Sequence, residues 1–263
     1  MSEAVLSTYF WRELAERRYA EIRQKQAEKL IPLRDMLAAR NYEGIEGSLI
    51  TADQIANPDT DSEIYRAKRL NYVLLLDQLQ CQSVMEIGFN WGYSGSLILE
   101  SSPLCHLHSV DIAMHWYTPP SGEIMQSIYP GRFRYTWKDS KQALLDEIKA
   151  GNTYDAISVD GGHDTVTATS DILLSLKLLR NGGLLIVDDT DALSVSAAVL
   201  ATIADHPSMV ELTAKNSGIF EFGSSTLPCF EQRYFLKRHP IDLEHRAEKR
   251  RPLFRKNNAK TND

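Results

Sequence analysis

The stretch Tyr154–Asp164, YDAISVDGGHD, ends an apolar run in Asp160, two glycines, His163 and Asp164. An acid and an imidazole three residues apart can be turned toward one point here, because the intervening Gly161 and Gly162 tolerate dihedrals that other residues avoid. A second apolar run, LLIVDDTD, ends in the consecutive acids Asp188 and Asp189. If the two runs are neighbouring strands, three carboxylates converge, and like charges so placed raise one another's pKa. A hard divalent cation resolves the conflict: Mg2+ takes oxygen ligands and leaves room for waters or substrate oxygens. Asp160, Asp188 and Asp189 are then the expected ligands of Mg2+ or another divalent cation. A hydroxyl held by such an ion becomes more acidic, and a neutral His163 is suited to take its proton near pH 7. The plainer alternatives are that the acids cap helices or brace loops, and that His163 is a polar surface residue.

A second group of polar residues gathers around MEIGFNWGYSGS, where Glu86, Gly88, Gly92 and Ser94 surround a glycine turn. Glycine lets the backbone approach a ligand closely, and the helix that follows offers free N–H groups to an anion. Twenty-three residues after Gly88 comes Asp111, spaced to accept hydrogen bonds from a ribose. Asp139 and Ser140 stand at the end of a third apolar run. The G-x-x-x-G spacing departs from the G-x-G-x-x-G of nicotinamide-binding sites. By itself the pattern also fits a turn that simply needs glycine.

The elements that position these residues alternate. Short apolar runs end at Gly88, Asp111, Asp139, Asp160 and Asp188, and helical stretches separate them. That order predicts an α/β fold, a doubly wound, mostly parallel sheet with helices on both faces. Ligands bind such sheets beyond the carboxyl ends of the strands, where the polar residues stand. The runs SGIFEFGSS and EQRYFLKR, with no helix between them, predict an antiparallel hairpin at one edge. Residues 8–40 carry apolar positions at helical spacing, broken near Pro32. NYEGIEGSLITADQIANPDTD reads as loop, and a helix follows over 62–79, with Ile64, Ala67, Leu70 and Leu74 on one face. Three regions result: an N-terminal helical extension or lid (1–61), the α/β domain (62–238) and a basic tail (239–263). MHWYTPPSGEIMQSIYPG reads as a long loop and a second lid piece. Its aromatics suit stacking on a ring or sugar face, or ordinary core packing.

VMEIGFNWGYSG resembles the first motif of class I S-adenosylmethionine-dependent methyltransferases, and the resemblance spans roughly residues 62–238. It implies a Rossmann-like sheet of seven strands. It also implies that Gly88 lines the methionine moiety, Ser94 holds its carboxylate, Asp111 takes the ribose hydroxyls, and Asp139 and Ser140 lie near adenine. VDGGH followed by IVDDTD is similar to the metal-dependent O-methyltransferases, the catechol and macrolide-sugar enzymes among them. The histidine three after the first metal acid matches the macrolide-sugar group. The implied reaction moves a methyl from S-adenosylmethionine to a hydroxyl of a small molecule, a sugar diol or a catechol, in secondary metabolism.

Composition bounds these readings. Length of 263 residues allows one large α/β domain with an extension. No apolar run approaches the roughly 20 residues of a membrane span, and the N-terminus has no signal-peptide core, so a cytoplasmic location is expected. Cys81, Cys105 and Cys229 have no metal or redox spacing, which fits reduced thiols. A net charge of −6 argues against nucleic acid as a partner, and the basic tail alone supports RNA methylation. The N-terminal helices fit a cover over the site or a homo-oligomer surface, with packing on the core as the default. Two rivals to a methyltransferase stand: a nicotinamide-dependent oxidoreductase, and a non-catalytic, cofactor-binding regulatory subunit.

Overall fold

From Ser83 onward the chain's alternation of apolar runs and helical stretches becomes a single twisted sheet. The computed structural model describes residues 3–45, 63–203, 206–213 and 232–238, with side chains from Glu13 in the first helix and from Arg66 in the third. Three helices come first: α1 (Glu3–Lys29), α2 (Ile31–Ala38) and α3 (Glu63–Gln78). Then follow β1 (Ser83–Ile87), α4 (Tyr93–Ser101), β2 (His106–Asp111), α5 (Thr118–Ile128), β3 (Phe133–Trp137) and α6 (Ser140–Lys149). The second half holds β4 (Tyr154–Val159), α7 (Thr165–Leu178), β5 (Leu179–Val187), α8 (Leu193–Thr202), β6 (Met209–Leu212) and β7 (Arg233–Lys237).

The seven strands run in the order β3-β2-β1-β4-β5-β7-β6. Pairings among β1 to β5 are parallel, and β7 is antiparallel to both β5 and β6. The expected edge pair is therefore present, but its outer strand is Met209–Leu212; the run SGIFEFGSS lies outside the described residues. The central strands β1 and β4 are largely buried because helices cover both faces. Alternate residues serve two cores. Val84, Leu107 and Ile186 pack with α1, α3 and α4 on one face, whereas Met85, Ile87, Ile157 and Leu185 pack with α7 and α8 on the other.

One expectation changes. Residues 114–131 were predicted as loop; the segment instead forms α5, whose Met125 and the flanking Tyr117 and Tyr129 are buried. Pro119 and Pro120 sit in the first turn, where proline lacks no needed N–H. Gly122 is required by contact: a Cβ there would lie 2.3 Å from the Trp137 ring, so α5 presses directly on β3. The N-terminal helices also share the main core, with Ala15, Tyr19, Ile22 and Leu33 buried in it. Cys81 and Cys105 are buried thiols, and burial pushes both up to about 12. No described helix is long and apolar enough to cross a membrane.

Candidate active site

The sheet's register builds the site. Ile87 pairs with Val110 and Val159, and Val159 with Val187, so these strands end level. The next residues are Asp111, Gly88, Asp160 and Asp188, which stand side by side above the sheet. Strand order reverses between β1 and β4, the position where open α/β sheets bind ligands. A cleft of about 640 Å3 opens there and joins the two groups of polar residues.

On one side is the glycine turn. Gly88 has φ +91°, and a Cβ on it would fall 1.8 Å from the Asp160 carbonyl oxygen, so glycine is needed to seat β1's turn against β4's. Asp111 braces the turn from the neighbouring strand. Its Oδ2 accepts from the Phe89 and Asn90 N–H groups at 2.9 and 3.0 Å, and its Oδ1 from Ala113 N–H at 2.7 Å. Glu86 is fully buried and accepts from the hydroxyls of Ser94 (2.5 Å) and Ser109 (2.6 Å). Burial pushes its carboxyl up to about 7 against those two bonds, with Asp111 adding to the rise. Asp139 caps α6 by accepting from Gln142 N–H, and Ser140 donates to Asp171 at 2.7 Å. Both line the cleft with Gly88, Ser94 and Asp111, while Gly92, at φ +93°, starts α4.

On the other side are the acids. The ligand atoms of Asp160, His163 and Asp189 lie within 4.8 Å of one another. His163 Nε2 is 3.0 Å from Asp189 Oδ2, and this bond raises the imidazole pKa despite partial burial. Asp189 holds φ +51°, a left-handed conformation that acids tolerate better than most residues and that reaches back over the strand end. Asp160 is held well above the usual carboxylate range by burial and then by Asp188 and Asp189.

Asp188 stands apart from the expected trio of ligands. Its Oδ1 pairs with the buried ammonium of Lys68 from α3, and its Oδ2 accepts from Gln232 at 2.8 Å. Gln232 in turn accepts from Tyr234, which accepts from Asn71 on α3. Burial alone would lower the Lys68 pKa, but Asp188, helped by Asp160 and Asp189, raises it instead. Asp188 therefore joins α3, β5 and β7, and His163 takes its place in the tightest donor group. Lys68 and Gln232 were not foreseen. A signal existed in YRAKRLNYVLLL, where two adjacent cations and an asparagine interrupt an apolar helix face.

The donor set suits a divalent cation: two carboxylates and an imidazole converge, and the burial and neighbouring acids that raise the Asp160 pKa, against the opposing pull of Lys68, are what a cation would relieve. The glycine turn, with the uncapped start of α4 beside it, suits a ligand carrying a carboxylate and a ribose.

Residues 85–190 match the family model described as a methyltransferase domain. No curated protein sequence matches the chain. Among solved structures, it is similar to an O-methyltransferase from Bacillus cereus in complex with SAH (15% identity, 81% of this chain, 91% of that one, TM-score 0.54). It is also similar to a protein assigned as an O-methyltransferase from Klebsiella pneumoniae (15% identity, 83% and 97% covered, TM-score 0.56). A third, assigned as a caffeoyl-CoA O-methyltransferase from Staphylococcus aureus, shares 14% identity over 81% and 99%, with TM-score 0.53. At such identities the likeness speaks to the fold. Residues 85–190 thus match a methyltransferase domain, and the seven-stranded sheet with its antiparallel edge shares the fold of these O-methyltransferase structures.

Proposed function

We propose that the chain moves the methyl group of S-adenosylmethionine to a hydroxyl of a small molecule with adjacent oxygens, such as a sugar diol or a catechol, beside a divalent cation. The observation that carries this reading is the shared cleft: the glycine turn and the acid–histidine group face one cavity of about 640 Å3. That volume lies within the range of about 300–1,000 Å3 usual for small-ligand sites. The cofactor supplies an electrophilic methyl, and the cation, when bound, supplies positive charge to the acceptor's oxygens.

The chain's own residues do the rest. Asp160 and Asp189 are the carboxylates that would hold the cation, whose charge would favour the ionised form of Asp160. In a neutral His163 the Nε2 proton is donated to Asp189, which leaves Nδ1 to accept the proton of the acceptor hydroxyl. Asp189 orients the ring and stabilises the imidazolium that results, as carboxylates do beside catalytic histidines. Gly88's contact with Asp160 fixes the spacing between the cofactor turn and the acids.

Methyl transfer to a panel of catechols and sugar diols is expected to stop in chelator and return with Mg2+. Undiminished transfer in chelator would remove the cation and leave the methyltransferase. His163→Ala is expected to retain cofactor binding and to lower turnover by about 10²-fold or more, the usual worth of a general base. A second reading, with His163 as a metal ligand, is favoured by its closeness to Asp160 and Asp189. Calorimetric titration with Mn2+ separates the two. His163→Ala binds Mn2+ like the wild type if His163 is the base, and at least about tenfold more weakly if it is a ligand.

A further inference from the structure

We propose that Asp171 is a positioning residue that turns the Ser140 hydroxyl into a hydrogen-bond acceptor in the cleft, and that this acceptor selects the 6-amino group of the cofactor's purine. The assignment rests on S-adenosylmethionine being the cofactor. Asp171 lies on α7 and is wholly buried. Its Oδ1 accepts from Ser140 Oγ at 2.7 Å. Its Oδ2 has no hydrogen-bond partner among the described residues. The acid is wedged under the turn after β4, where a Cβ on Gly161 would lie 3.3 Å from that oxygen. Burial pushes the carboxyl up to about 6, so above that pH it is ionised and can only accept. A buried acid so sparsely bonded costs stability. What it gains in return is control of one serine.

Ser140, the first residue of α6, lines the cleft, whereas Asp171 is sealed behind it. A serine hydroxyl has one proton to give, and Ser140 gives it to Asp171. Toward the cleft its oxygen therefore offers lone pairs alone. What meets them follows from the strand order. The methyl has to face the acids after β4 and β5, and the uncapped start of α4 suits the methionine carboxylate. The nucleoside is left to run the other way, past Asp111 at the end of β2 and toward Ser140 beyond β3. Ile112, an exposed apolar side chain, lines this end and offers a purine a surface to rest on. Adenine's ring nitrogens accept hydrogen bonds, and only its exocyclic amino group donates. A hydroxyl whose proton is spent pairs with that amino group and rejects a carbonyl oxygen in its place.

The test is calorimetric binding at pH 8 of S-adenosylhomocysteine and of S-inosylhomocysteine, which carries an oxo group in place of the amino group, to wild type, Asp171→Leu and Ser140→Ala. Wild type is expected to bind the adenosyl ligand at least about tenfold more tightly, the cost of leaving a buried acceptor unpaired. Asp171→Leu releases the Ser140 proton toward the cleft, so the preference should shrink to within about threefold as the inosyl ligand gains a donor. Ser140→Ala should shrink it too, through loss of the adenosyl ligand's bond. A preference unchanged in Asp171→Leu, with both ligands weakened equally or not at all, makes the acid merely structural and overturns the assignment. So does a wild type that binds the two ligands alike. Wild type that binds neither overturns the cofactor reading beneath it. If Asp171→Leu does not fold, Ser140→Ala decides: a smaller preference supports the assignment, and the wild-type preference overturns it.

Discussion

Glu86 shows how single residues at this site trade stability for position. Its pKa is raised to about 7 from 4.5, chiefly by burial. A raised folded-state pKa means stability fully present below pH 4.5 and lost as pH rises through 7. Glu86→Gln cannot ionise. Wild-type stability relative to that variant should therefore fall between pH 4.5 and 7 and stay level above, by on the order of 3 kcal/mol. Urea titrations of both proteins across pH 5 to 8 check this, and parallel curves would contradict it. His108, lowered to about 4 by burial, acts in the opposite sense below pH 6.5, but it is common to both proteins and cancels. At this scale the position of the acids was readable, because residues that end parallel strands gather at one edge of the sheet; their roles were not, since Asp139 caps α6 and Asp111 braces a turn. Lys68 and Arg69 were not readable: a cation on a helix is normally solvated, and only the fold shows which face carries it inward.

Among the elements, α3 bears more than its apolar face suggests. Leu70 and Leu74 pack in the core as the helical spacing predicts. The same helix sends Lys68 to Asp188, Asn71 to Tyr234 and Tyr72 to Ser158 (2.6 Å). Lys68→Met leaves a buried carboxylate without its cation and is expected to cost about 3–5 kcal/mol. Lys68→Met with Asp188→Leu should be more stable than Lys68→Met alone, because no lone charge then remains. Chemical denaturation of the single and double variants measures this, and additive losses would show that the pair is not coupled. Helix α5 teaches the converse lesson about legibility. Two prolines and a glycine in SGEIMQ and its lead-in read as breakers, yet each is at a position where a helix tolerates it, at the first turn or where Trp137 leaves no room for a side chain.

For the whole molecule, the class of fold was legible because the alternation of runs is a global property that survives local errors. The edge was less so: Met209–Leu212 is four residues of mixed polarity, too short for a period-2 signal to stand out. The role of α1 and α2 was open from sequence, since an amphipathic helix fits a lid, an interface or a core. The core contains Tyr19, Leu33 and Ile22 from these helices, and Gln26 reaches Ser96 of α4 at 2.6 Å. Losing several such side chains, each worth about 2–5 kcal/mol, exceeds the margin of roughly 5–15 kcal/mol that holds a domain together. A chain lacking residues 1–40 is therefore expected not to fold, as judged by circular dichroism and melting. A truncated protein melting with the full chain would make these helices an appendage. The junction of Gly88 with the Asp160 carbonyl carries a consequence at the same scale. The two turns share one wall with no slack between them, so neither can be reshaped for a larger cofactor or a different acceptor without displacing the other. Diversification of this chain is steered away from the cleft's floor and toward its rim, where Met114 stands almost wholly in solvent.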